Sequence, residues 1–186
     1  MTYYGGKELA ASFRQVRGNT VQIAKDIPDS KYDFTPAPDT KSIAQTLAHI
    51  ALSPGYQQHI HANKIGDLTQ VNFGELAQKF GAEEAKPRTK AEIVSMLETE
   101  GERFAAFLEG LSDAFLAEPV AMPPGAQPPA KSRLEMLLSP KEHEMHHRGQ
   151  LMLAERMLGI VPHLTRQRQQ HMAQAQQTAQ ARQAQG

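Results

Sequence analysis

The chain has 186 residues, 40% apolar and 22% charged, with 20 basic and 20 acidic side chains in balance and a pI near 7.1. Balanced charge argues against a general nucleic-acid or anionic-membrane binder, whose affinity rests on surplus Lys and Arg. The absence of cysteine excludes disulfides, thiolate nucleophiles, Cys-ligated zinc and iron–sulfur clusters, so any metal must be held by nitrogen and oxygen ligands.

This length suits one domain with a substantial core. The first residues lack the charged-then-apolar layout of a secretory signal, and no apolar run approaches the ~20 residues needed to cross a bilayer. The expectation is a cytoplasmic protein with neither membrane nor nucleic-acid partners.

Leu9, Phe13, Val16, Thr20, Ile23 and Ile27 alternate steps of four and three, which predicts an amphipathic helix over residues 6–27 that Pro28 ends. Residues 28–39 hold three prolines and read as an extended connection. A second helix is expected to open near Asp39 or Thr40 and to turn Ile43, Leu47 and Ile50 inward. Pro54 should kink or break it, because proline has no N–H and clashes with the carbonyl of Ile50. The pattern resumes weakly through Tyr56 and Ile60. Residues 64–88 are mixed and polar, suited to a long crossover.

A third helix opens at Thr89, with Glu92 as its capping-box partner, and carries Ile93, Leu97, Phe104, Leu108 and Leu111 on its core side. Residues 118–130 contain five prolines and a glycine, a loop with room for a short strand at 119–122. Ser132 and Glu135 mark a short helical turn. The fourth helix is expected to start afresh after it, with Ser139 as N-cap, Pro140 at N1 and Glu142 at N3, and to stop at Gly159. From Leu164 onward the chain holds nine Gln and five Ala and no acidic residue, which reads as a solvated helix or a disordered tail. Four amphipathic helices with a long connection between the second and third imply an all-α four-helix bundle over residues 1–163, followed by the tail at 164–186.

The run His143-Glu144-Met145-His146-His147-Arg148-Gly149-Gln150 carries the chemistry. His143 and His147 lie four apart, so both imidazoles leave one helix face with Cβ atoms about 5–6 Å apart. One metal ion with bonds of about 2.1 Å bridges that gap. The two histidines continue the stripe through Leu151, Ala154 and Leu158 and should point into the core, where an unpartnered polar group costs about 1–3 kcal/mol. Spacing alone leaves two readings, a shared metal or a pair of core histidines hydrogen-bonded to neighbours. His49 sits about 120° from the centre of its own stripe, at an edge that faces either a neighbouring helix or water. His59, His61, His163 and His171 are expected at the surface, and His146 at the surface or behind the ligands.

The phrase PDTKSIAQTLAHIA, followed later by HEMHHRGQLMLAERMLGIVPH, resembles the DinB-like (YfiT-like) metalloenzyme family, over nearly everything but the Gln-rich tail. The resemblance implies a bundle with an up-down-down-up path, often dimeric. One metal ligand would come from the second helix and two from the fourth, so that His49, His143 and His147 form a facial site with open positions. The ion would be divalent, with Zn, Ni or Fe as the leading candidates. Characterised members use low-molecular-weight thiols, which suggests a thiol S-transferase acting on a small-molecule substrate. Without cysteine, the thiol would have to be a cofactor such as bacillithiol, mycothiol or glutathione. The alternatives are a metal-dependent hydrolase and a stress-response or structural bundle with a non-catalytic metal. Glu144 and Arg148 are candidates for contacts behind the ligands or to substrate, against the plainer roles of a solvated Glu and a surface Arg. Many members carry Trp ahead of the second helix, where this chain has Phe34.

Overall fold

The apolar periodicities of the sequence become the long helices of the computed structural model, which describes residues 4–183. In chain order they are α1 (Gly6–Asp26), α2 (Ile43–Leu52), α3 (Pro54–Ala62), α4 (Phe73–Glu84), α5 (Lys90–Glu109), the one-turn α6 (Asp113–Leu116), α7 (Arg133–Met157) and α8 (His163–Gln183). Between α6 and α7, the strands β1 (Pro119–Ala121) and β2 (Ala130–Ser132) pair antiparallel.

Four of these helices form the bundle. α1 packs on α5 and α7, and α2 packs on the same two, so α1 and α2 stand diagonally opposed. This is the four-helix arrangement expected from the sequence, with the long crossover between its second and third members. A small apolar cluster joins Ile60, Leu68, Val120 and Met136 under the hairpin, and the four bundle helices bury two larger ones. One gathers Ile23, Ile27, Ile43, Leu47, Ile50, Ile93, Leu97 and Leu151. The other gathers Leu9, Phe13, Phe104, Leu108 and Leu137, with the Phe13 and Phe104 rings edge to face at 5.0 Å.

Between the clusters α1 inserts a charged side chain. Arg17 is buried and donates to the Glu144 carboxylate of α7, to Leu97 O of α5 at 2.9 Å and to Ile50 O of α2 at 3.1 Å. The Ile50 carbonyl is available for a definite reason. Its ordinary helical partner would be the N–H of residue 54, and Pro54 has none. The sequence expectation of a break at Pro54 holds, since α2 ends at Leu52 and α3 begins at Pro54. Glu144, for which a solvated role was expected, is fully buried instead.

Several local boundaries differ from the sequence reading. α2 begins at Ile43 rather than near Thr40, because Ser42 forms a complete capping box with Gln45. α7 does not restart at Ser139. It runs unbroken from Arg133, capped by Ser132, whose Oγ accepts from the Glu135 N–H at 3.1 Å. Pro140 is therefore interior, and its buried ring packs into the bundle. The crossover holds α4, whose start is capped by the Asn72 side chain; of its residues only Leu76 is buried, so no apolar stripe announced it. The strand expected at 119–122 is present as β1.

His61 and His163, expected at the surface, are buried. The His61 Nδ1 accepts from buried Arg133 at 3.2 Å, and Arg133 also binds Glu118 and Ile65 O, tying the hairpin and the start of the crossover to α7. His163 opens α8 and hydrogen-bonds Asn19 Oδ1 through Nε2 at 3.2 Å. Three residues on, Arg166 pairs with Asp26 at 2.5 Å. Beyond these contacts α8 is a solvated helix: its side chains are exposed from Gln167 to Gln180. Among the described residues no helix is long and apolar enough to cross a membrane.

Candidate metal centre

Two bundle helices and the crossover build the site. His49 lies in the last turn of α2, while His143 and His147 lie one turn apart on α7. The stripe on α7 is wide enough that both His143 and Glu144 fit its margin, and the structure assigns the core to Glu144. The histidines are half-buried, turned toward α2 rather than into the core.

The three rings converge. His49 Nε2 and His147 Nε2 each lie 3.1 Å from His143 Nε2, and one nitrogen from each residue falls within 4.8 Å of the others. An ion with bonds of about 2.0–2.1 Å to three imidazoles spaces its ligand nitrogens by roughly 3.0–3.4 Å, which two of these separations approach. The rings meet edge to face, with centroids 4.5–4.9 Å apart.

The outer nitrogens decide what the inner ones offer. His49 Nδ1 lies 2.7 Å from Glu84 Oε1, and a carboxylate oxygen only accepts, so Nδ1 carries the proton. His147 Nδ1 likewise faces Gln150 Oε1 at 2.8 Å, while the Gln150 amide nitrogen reaches His146 Nε2 at 3.2 Å. In the neutral rings, the Nε2 atoms of His49 and His147 are then bare lone pairs. His143 has one proton at most to offer them, and a single N–H serves only one of the two. At least one close N···N contact therefore opposes lone pair to lone pair, which a cation relieves. The donor set fits a divalent ion.

The electrostatics agree. Burial, then the neighbouring imidazoles of His147 and His49, push the His143 pKa down to about 4. Burial also lowers that of His147, against the opposing pull of its Gln150 bond. Both rings are neutral at pH 7, as metal ligands must be.

Sequence reasoning missed Glu84 and Gln150. Gln150 follows His147 by three residues, a helical neighbour that spacing could have flagged. Glu84 left no local signal, because α4 brings it to His49 from 35 residues away. Lys41 stands 3.5 Å from Glu84 Oε2, with its side chain half exposed. Arg148, half-buried, is not brought into the cluster, and His146 is exposed beside it.

The model of the DinB superfamily matches residues 12–151, a span that contains all three histidines. The chain belongs to that superfamily. It is 23% identical over 154 residues to the uncharacterised protein YjoA of Bacillus subtilis, covering 82% of this chain and 90% of that protein. The crystal structure of that DinB-like protein aligns over 82% of this chain and 92% of its own, with a TM-score of 0.61 and 22% identity. A DinB-like protein from Bacillus cereus aligns over 83% and 93%, at 0.63 and 16%. YfiT from Bacillus subtilis, described as a probable metal-dependent hydrolase with an unusual four-helix bundle topology, aligns over 86% and 91%, at 0.65 and 13%. At these identities the structures establish a shared fold.

Proposed function

We propose that the protein is a divalent-metal-dependent enzyme whose ion is held by His49, His143 and His147. The observation that carries this reading is the convergence of three imidazole nitrogens, two of them stripped of protons by the bonds to Glu84 and Gln150. A divalent ion there would polarise a substrate oxygen and acidify a water or thiol beside it. The protein's own part is positional. Glu84 fixes the ring plane and tautomer of His49, Gln150 does the same for His147, and the neutral ligands leave the charge of the ion uncompensated. Hydrolysis of a small molecule is the favoured reaction, because it needs no second organic substrate and agrees with the description of YfiT. Transfer of a low-molecular-weight thiol would use the same site with a thiol from outside the chain.

The same reading takes residues 1–163 as the catalytic domain, residues 164–186 as an appendage, and the working unit as a cytoplasmic homodimer, which sedimentation velocity tests. The metal reading is tested by elemental analysis of tag-free protein beside His49→Ala. Near-stoichiometric zinc, nickel or iron that falls away in the variant supports it, and protein that takes up no metal on reconstitution refutes it. Parallel assays with ester substrates and with a thiol plus an electrophile then separate hydrolysis from thiol transfer.

A further inference from the structure

Beside His147 and Gln150 the surface dips into a cavity of about 460 Å³, walled by the connection before α2, the first turns of α2 and the outer face of α7. That volume lies in the range of small-molecule sites, about 300–1,000 Å³. Its two ends differ in chemistry. The end nearer the metal centre is polar, with Gln150, Lys41 and His147, the one of the three histidines that lines the cavity. The other end is formed by Leu153 and Met157, over a floor of the buried core residues Ile43 and Ala154. Leu153 and Met157 are 59% and 53% exposed, large apolar side chains left in water at the rim of a concave site. Apolar side chains exposed beside a concave site supply the kind of surface that an apolar ligand covers. Among the described residues no carboxylate lines the cavity. Lys41, whose ammonium lies 3.5 Å from Glu84 Oε2, the His147 ring and the Gln150 amide make this end suited to a polar, oxygen-bearing head group.

We infer that this cavity binds the hydrocarbon chain of a small amphiphilic acyl compound, its carbonyl head at the histidine end and its chain along Leu153 and Met157. The head-group assignment rests on the metal-site reading above; the chain assignment rests on the cavity alone. Exposed Leu153 and Met157 are surface positions whose replacement by a charge leaves the packed core untouched, so they probe the chain site without unfolding the bundle.

The test is a series of alkyl hydroxamates, from acetohydroxamate to octanohydroxamate, titrated calorimetrically into the zinc-reconstituted full chain. Each added methylene is expected to tighten binding by up to about four-fold until the cavity is filled. Leu153→Glu and Met157→Glu should flatten the series, and Met157→Leu should preserve it. Acetohydroxamate binding without any gain from chain length would overturn the cavity assignment and leave the metal site standing. If the chain retains its zinc but binds no hydroxamate, the ion is closed to this cavity and the head-group assignment fails, whereas a chain that retains no zinc fails the metal reading itself. In either case 1-hexanol titrated into the metal-free chain decides the cavity. Shifts of the Leu153 and Met157 methyl resonances would then uphold the chain site, and unshifted methyls would overturn it.

Discussion

Arg17 and Glu144 meet in the middle of the bundle, Nε to both carboxylate oxygens at 3.0 and 3.1 Å and Nη2 to Oε2 at 2.9 Å. Their side chains are 4% and 1% exposed. Because the same guanidinium binds Leu97 O and Ile50 O, one residue of α1 is bonded to all three other bundle helices. Stranding either charge should be severe. Arg17→Met or Glu144→Met is expected to cost about 3–5 kcal/mol in urea denaturation, and the double substitution much less than the sum of the two. Additive single effects would show that the two side chains are not coupled.

Gly101 makes room for that arginine. A Cβ at this position would stand 2.6 Å from Arg17 Cγ and 3.0 Å from its Nη1. Glycine to alanine inside a helix ordinarily gains about 0.5–1 kcal/mol. Here Gly101→Ala should instead destabilise by about 1–3 kcal/mol, as overpacking does. Gly18, also within a helix, has no atom within 4 Å of its would-be Cβ. Gly18→Ala should therefore raise the melting temperature while Gly101→Ala lowers it.

Glu84 braces the candidate metal centre from the crossover through its contact with His49. Its bond to His49 Nδ1 is of the kind whose loss weakens metal binding by about 10–100-fold. Glu84→Ala should reduce zinc affinity in that range in a competition titration with a chromophoric chelator, with the helical circular dichroism retained. An unchanged affinity would remove Glu84 from the site.

Glu155 gives a pH dependence whose sign can be worked out. It is fully buried, and among the described residues neither carboxylate oxygen has a hydrogen-bond partner. Burial, reinforced by the charge of Asp26, pushes its pKa up to about 7. The folded state thus holds this proton more tightly than the unfolded chain does. Its contribution to stability is fully present below pH 4.5 and is lost as pH rises through about 7. Glu155→Gln should therefore stabilise the protein at pH 8, by something on the order of 3 kcal/mol, and have far less effect at pH 4.5. Equal shifts in melting temperature at both pH values would contradict this.

Much of this architecture could be read from local pattern. The steps of three and four in α1, the Thr89–Glu92 box of α5 and the proline break after α2 each depend on neighbours in sequence, and all three stand in the structure. What failed was decided at long range. His143 and Glu144 share the margin of one apolar stripe, and only Arg17, 127 residues from Glu144, determines which faces the core. His61 is buried because Arg133, 72 residues away, supplies its partner. Pro140 looked like a helix start because a proline at N1 and a proline inside a helix read alike locally; the Ser132 cap and the buried Met136 and Leu137 extend the helix through it. Within the candidate site, the α7 pair was legible from its spacing, His49 only by family resemblance, and Glu84 not at all.

The crossover helix α4 is thinly anchored. Besides buried Leu76, it rests on the Phe80 ring against Tyr56 at 4.4 Å, where Gly55 leaves the space, and on the Glu84 bond to His49. An ion gripped by His49 would be gripped more tightly when Glu84 is docked, and thermodynamic reciprocity requires the ion to dock Glu84 in turn. Amide protons of residues 73–84 should then exchange with solvent more slowly in the loaded protein than in the stripped one, making this segment a built-in gauge of metal occupancy.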